Sequence, residues 1–201
     1  MSVTTGTLAH GPAGTGHVDK ATKERQWRLV VLFLLASDVT FVAALFFSYL
    51  YLRQLDVNHM WLPASVHPAP MSAGLILAGL LVLSSLAYRW GDVGLRKGNQ
   101  GQLRGGLTIA LVLWIVEMVV GAQQLLSMSF GPGAGGYASA FYALAGYHMF
   151  HLVLGLLLGL GMFMRAGRGR FAADNHTQVQ VLGYFWYWVA VMAIAMALLP
   201  A

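Results

Sequence analysis

The chain of 201 residues contains no cysteine. That excludes disulfides, thiolate metal centres and haem held through Cys thioethers. Charge is almost as scarce. Only 9% of the residues are Asp, Glu, Lys or Arg, where an ordinary soluble domain has about 25%. Hydrophobic residues make up 58%, above the usual roughly 45–50%. So few charges cannot cover the surface of a soluble protein of this length, so lipid must be part of its solvent. A soluble globular enzyme and a disordered chain are both excluded. Acidic residues number seven against twelve basic ones, a formal net charge of +5. Such an excess suits a nucleic-acid partner when it forms one patch. Here the basic residues are spread between apolar runs, so no nucleic-acid partner is expected. The first 26 residues hold no apolar run of secretory length, and no cleavable signal peptide is expected.

Five segments have the length and apolarity of membrane spans, each needing about 20 residues. They cover about 29–52, 69–88, 105–126, 138–164 and 179–199. Residues 29–201 therefore read as one all-α, polytopic membrane domain, a five-helix bundle, with residues 1–28 as a flexible tail. Pro63, Pro68 and Pro70 crowd the entry to the second span, where Pro70 suits a first helical position. Lys20, Lys23, Arg25 and Arg28 precede the first span. Arg89, Arg96, Lys97 and Arg104 lie between the second and third, and Arg165, Arg168 and Arg170 between the fourth and fifth. Only Arg53 falls on the other side. The positive-inside rule then predicts a cytoplasmic N-terminus and an external C-terminus, as an odd number of spans requires.

Two acids, Asp38 and Glu117, and two histidines, His148 and His151, lie within the spans. At 1.5 Å per residue, Asp38 is about 14 Å and Glu117 about 18 Å from the cytoplasmic end. A carboxyl group at that depth costs at least a few kcal/mol unless it faces the bundle or water, which makes both acids functional candidates. A structural reading stands beside it: a protonated acid can hydrogen-bond a neighbouring helix. Ser37, Phe41, Ala44 and Ser48 form one helical stripe beside Asp38, as a packing face would. No polar residue lies within a turn of Glu117. His148 and His151, three apart, share a face that Gly155 continues, and Gly155 with Gly159 forms a small-xxx-small pair suited to helix packing. Haem is a poor fit, because a bis-histidine haem takes ligands from opposite sides and the other histidines lie in tails or loops. A metal site would need a third ligand. Interhelical hydrogen bonding through His148, His151 and Ser37 is therefore expected, with no catalytic or metal-binding residue. Trp27, Trp61, Trp90, Tyr51 and Tyr88 sit near span ends, as an interfacial belt would. The run Tyr184-Phe185-Trp186-Tyr187-Trp188 is too deep for a belt alone and suggests a packed face or a subunit contact.

The chain resembles subunit III of the haem–copper terminal oxidases in its five-helix form. The segment Leu34-Leu35-Ala36-Ser37-Asp38-Val39-Thr40-Phe41, with Phe46-Phe47-Ser48-Tyr49, is similar to the family's Ser-Glu/Asp segment and its trailing aromatics. The run from Ser139 to His151, with His148, His151 and the later Gly155, is the most specific match. Ser84-Ser85 and the Gly131-Pro132 loop resemble further family features. The last span departs: Trp186-Tyr187-Trp188-Val189-Ala190 stands where the family usually shows Trp-His-Phe-Val-Asp, and Gln180 stands for a frequent glutamate.

The resemblance implies an accessory, cofactor-free subunit of a proton-pumping respiratory oxidase in a prokaryotic inner membrane. Haem and copper would belong to partner subunits, and the donor would be cytochrome c or quinol. Catalytic subunit I, other oxidase subunits and bound phospholipid are the implied partners, with Asp38 and Glu117 as buried polar, proton-supply candidates. Two alternatives remain at this stage: a subunit-III-like assembly or activation protein of nitric oxide reductase, and a small membrane cytochrome b.

Overall fold

A computed structural model of the chain describes residues 19–172 and 176–199. Five helices, α1 Lys20–Leu55, α2 Met71–Arg96, α3 Gln100–Leu126, α4 Gly136–Gly167 and α5 Thr177–Ala197, form the bundle. Each is long and apolar enough to cross a membrane. The flexible tail expected over residues 1–28 is cut short, because α1 is already helical from Lys20; the part over residues 1–18 lies outside the described residues. Most helices outrun the apolar spans at the arginine-rich end, where water and lipid headgroups tolerate charged side chains. Pro70 stands just before α2 as its N-cap, and its carbonyl accepts from the Ala73 amide at 3.0 Å.

Helices α2 and α3 form a tight hairpin. Gly98 turns the chain with φ +79°, and Asn99 Oδ1 accepts from the Gln102 amide at 3.0 Å. A Cβ on Gly106 would lie 2.6 Å from the Gly91 Cα, so the two backbones touch only because both side chains are hydrogen. Helix α5 lies across α2, α4 packs on α3, and α1 contacts only α4 and α5. Most of α1 is exposed, with Val42 and Tyr49 its buried apolar residues.

Three aromatic rings fill the core. Trp186 lies 4.2 Å from Trp114 and 5.2 Å from Tyr88, centroid to centroid. Their polar atoms are satisfied across helices: Trp114 Nε1 donates to the Leu152 carbonyl (2.8 Å), Tyr88 to the Val179 carbonyl (2.6 Å), and Trp186 Nε1 to Ser84 Oγ (2.9 Å). Ser84 in turn donates to the Ala110 carbonyl at 2.7 Å, linking α5, α2 and α3. Trp186→Phe should preserve the stacking yet remove this link, lowering stability by about 2–3 kcal/mol through the lost hydrogen bond and ring volume. Thermal unfolding in detergent checks it.

Two belt assignments are corrected by this packing. Tyr88 is a core residue, and Trp61 is buried in a second cluster with Tyr49, Phe130 and Tyr137 at the end opposite the arginines. Helix α5 covers Tyr88, and the connection over residues 57–70 carries Trp61 inward by folding back over the bundle. The amides of Gly136 and Tyr137 donate to the Met60 and Trp61 carbonyls at 2.9 and 2.8 Å, and the Ala69 amide donates to Tyr137 Oη at 3.0 Å. Trp27, Tyr51 and Trp90 are exposed.

Candidate functional site

Asp38 on α1 is reached by side chains from two other helices. On α4, Tyr147 donates its hydroxyl to Oδ1, and His151 Nε2 lies 3.0 Å from Oδ2. From α5, the Trp188 indole N–H also donates to Oδ2. Three polar side chains thus converge on one carboxyl group that keeps 18% of its side-chain area exposed. The Phe185 ring stacks on the His151 imidazole, and the Tyr147 ring meets its edge. A groove of about 720 Å³ runs from Trp27, Arg165 and Gln178 at the arginine-rich end down to Asp38 and His151, walled mainly by apolar side chains, leucines the commonest.

The hydrogen-bond pattern defines what this cluster can do. His151 Nδ1 lies 2.9 Å from the Tyr147 carbonyl, which can only accept, so Nδ1 carries a hydrogen. Nε2 then either donates as part of an imidazolium to a carboxylate, or accepts from the Asp38 carboxylic acid. Both arrangements carry the same net charge and differ in the position of one proton. The geometry lets one proton be shared between an acid and a base beside a groove.

Glu117 is fully buried on α3, and His148 Nε2 of α4 lies 3.0 Å from its Oε1. The two histidines therefore serve two different acids. Three residues advance a helix by about 300°, so side chains at i and i+3 diverge by about 60°, enough to enter neighbouring seams. Ser37, expected in the same contacts, lies about 100° round the helix from Asp38 and is exposed. Phe41, Ala44 and Ser48 are exposed with it, so this stripe lies mainly on the outer side of α1, with the Phe41 ring 4.8 Å from that of Tyr147. Val42, Leu45 and Tyr49 continue the inward face instead, Val42 and Tyr49 being buried. Gly155 and Gly159 receive side chains rather than a helix backbone: a Cβ on Gly155 would lie 2.2 Å from Trp114 Cζ2, and one on Gly159 2.7 Å from Leu111 Cδ2 and 2.8 Å from Trp186 Cη2.

The roles of Trp188, Tyr147 and Trp186 escaped the sequence reading. The aromatic run was visible, but nothing in it distinguishes an indole N–H aimed at a distant carboxylate from one facing lipid. Among the described residues no group of three or more His, Cys, Asp or Glu could hold a metal ion.

The family model for cytochrome c oxidase subunit III matches residues 11–199. The chain belongs to that family. Cytochrome c oxidase subunit 3 of Thermostichus vulcanus is 28% identical over 179 residues, covering 88% of both chains. Its counterpart from Dugong dugon is 26% identical over 167 residues, 81% of this chain and 64% of the relative, and that from Equus caballus is 24% identical over the same coverage. The chain thus spans somewhat less than two thirds of the mammalian subunits it matches. In this chain the last helix reaches Asp38 through the Trp188 indole.

Proposed function

We propose that the chain is a non-catalytic subunit of a respiratory terminal oxidase that reduces oxygen to water. The donor would be cytochrome c or quinol, and haem and copper would reside in partner subunits. It stabilises the catalytic subunit and supports its proton supply from the arginine-rich side, which the positive-inside rule assigns to the cytoplasm of a prokaryotic inner membrane. The observation that carries this reading is the Asp38 cluster: a carboxyl group 3.0 Å from His151 Nε2, still partly exposed, at the floor of a groove that opens beside Arg165.

Two surfaces support the assembly part of the reading. The outward stripe Ala36, Thr40, Ala44, Ser48 is small at every fourth position, and the Thr40 and Ser48 hydroxyls bond back to the Ala36 and Ala44 carbonyls at 2.9 and 2.8 Å. Such a face admits a close partner helix, as a catalytic subunit would supply. The groove suits a phospholipid: leucines for an acyl chain, with Arg165 at the mouth for a phosphate.

Gentle detergent extraction with identification of the co-purifying chains tests this. Recovery with an oxidase catalytic subunit is expected, and that complex should show haem bands that the separated chain lacks. Recovery with a nitric oxide reductase instead would transfer the role to the assembly or activation of that enzyme. A Soret band from the isolated chain would overturn the cofactor-free reading.

A further inference from the structure

A second buried acid–base pair lies away from the Asp38 groove. Glu117 Oε2 and His148 Nδ1 are both buried, and neither has a hydrogen-bond partner among the described residues. An unpaired carboxyl oxygen and ring nitrogen are costly in an apolar interior, so such atoms are normally met by water or a polar ligand. Both residues line a cavity of about 430 Å³ between α2, α3, α4 and α5. Its walls include Tyr137 and the Pro68–Met71 segment, at the end opposite the arginines. From Tyr137 to His148 along α4 is about 16 Å, so the cavity reaches from that end to mid-depth. Gln124, Tyr49 and Tyr137 supply polar groups along it, and Gly121, one turn beyond Glu117, adds no side chain to the space. The volume exceeds several waters at about 30 Å³ each, and the pair presents two unpaired polar atoms at the cavity's deep end.

We propose that this cavity is a water-filled inlet that exchanges protons between the surface at the Pro68–Met71 end and the Glu117–His148 pair. A hydronium in the inlet gives its proton to His148 Nδ1. The Nε2–H bond then breaks as an O–H bond forms at Glu117 Oε1, leaving neutral water behind and one proton stored on the pair. The other titratable groups facing the cavity are Tyr49 from α1 and Tyr137 from α4; α2 and α5 contribute only uncharged residues to its wall, among them Leu77, Ala193 and Met196. The inlet opens at the end opposite the groove that reaches Asp38, and it is independent of the proton-supply role proposed for that residue.

Glu24 and Glu117 are the chain's two glutamates, so carboxyl-¹³C-glutamate resolves Glu117 by infrared spectroscopy without altering it; Glu24→Gln removes the other band. In the full chain in lipid nanodiscs, the Glu117 band should shift within seconds of transfer to D₂O. A band unchanged after hours would overturn the proposal. The absence of native cysteine permits a second measurement. Ala145→Cys and Ala193→Cys, on the cavity wall, should react with a charged methanethiosulfonate about tenfold or more faster than Ala143→Cys, which is exposed on the bundle exterior. Equal, slow reaction at all three would mean a dry or lipid-filled cavity and would also overturn it.

Discussion

Gly155→Ala should be among the most damaging single-atom additions in this protein. The new methyl carbon would start 2.2 Å from Trp114 Cζ2 and 2.8 Å from Cε2, far inside van der Waals contact. Neither side can yield easily. Trp114 is fully buried, its N–H is bound to the Leu152 carbonyl, and the Trp186 ring lies against it. Gly155 sits mid-helix, so moving it means displacing α4 from α3 along with the Asp38 and Glu117 contacts that α4 carries. Overpacking of this kind costs about 1–3 kcal/mol where neighbours can shift, and the upper end or beyond is expected here. Gly161→Ala is the control: a Cβ there meets nothing within 4 Å, so the change should be neutral or gain up to about 1 kcal/mol of helix propensity. Pairing Gly155→Ala with Trp114→Leu should recover part of the loss, a coupling that a double-mutant cycle of thermal midpoints would read.

That glycine illustrates how far the sequence could be read. The span pattern, the depth of the two acids and the need for small residues on α4 follow from composition and helical geometry alone. What fills the space above Gly155 does not: an indole from α3 enters where a helix backbone was expected, because helical periodicity identifies a face without identifying its neighbour. The same limit separated the histidines from their acids. Spacing put His148 and His151 on one face, yet only the arrangement of α1 and α3 around α4 sends one to each carboxyl group. On α1, helical spacing groups Ser37, Phe41, Ala44 and Ser48 on one stripe without identifying which side of the bundle it faces. The Ser48 hydroxyl on it, like that of Thr40 on the adjoining face, bonds to its own helix backbone, so both can face outward at little cost. Trp61 and Tyr88 misled in the opposite sense: their position near span ends suggested the interface, whereas a folded-back connection and the α2–α5 packing bury them.

Asp38→Asn should leave the fold standing and strike the proton chemistry. The amide has nearly the carboxyl's shape, and its carbonyl can still accept from Tyr147. Its NH₂ group can donate to His151 Nε2, reproducing the arrangement in which the acid holds the shared proton. It cannot release that proton, and it cannot accept from Trp188, whose indole N–H then loses its partner. The stability cost is that one half-buried donor, about 1 kcal/mol, so assembly with the catalytic subunit should survive. Proton exchange between Asp38 and His151 should cease, and turnover of the assembled oxidase should slow or its inactivation hasten. Asp38→Leu separates the two contributions: it strands Tyr147, His151 and Trp188 together and should loosen α1 from α4 and α5, with lower yield of the complex on purification. Trp188→Phe removes only the indole donor and leaves the Asp38–His151 pair intact, so it should match the stability of Asp38→Asn while keeping normal turnover. Unchanged turnover and lifetime in Asp38→Asn would reduce the Asp38 cluster to a structural clasp between three helices.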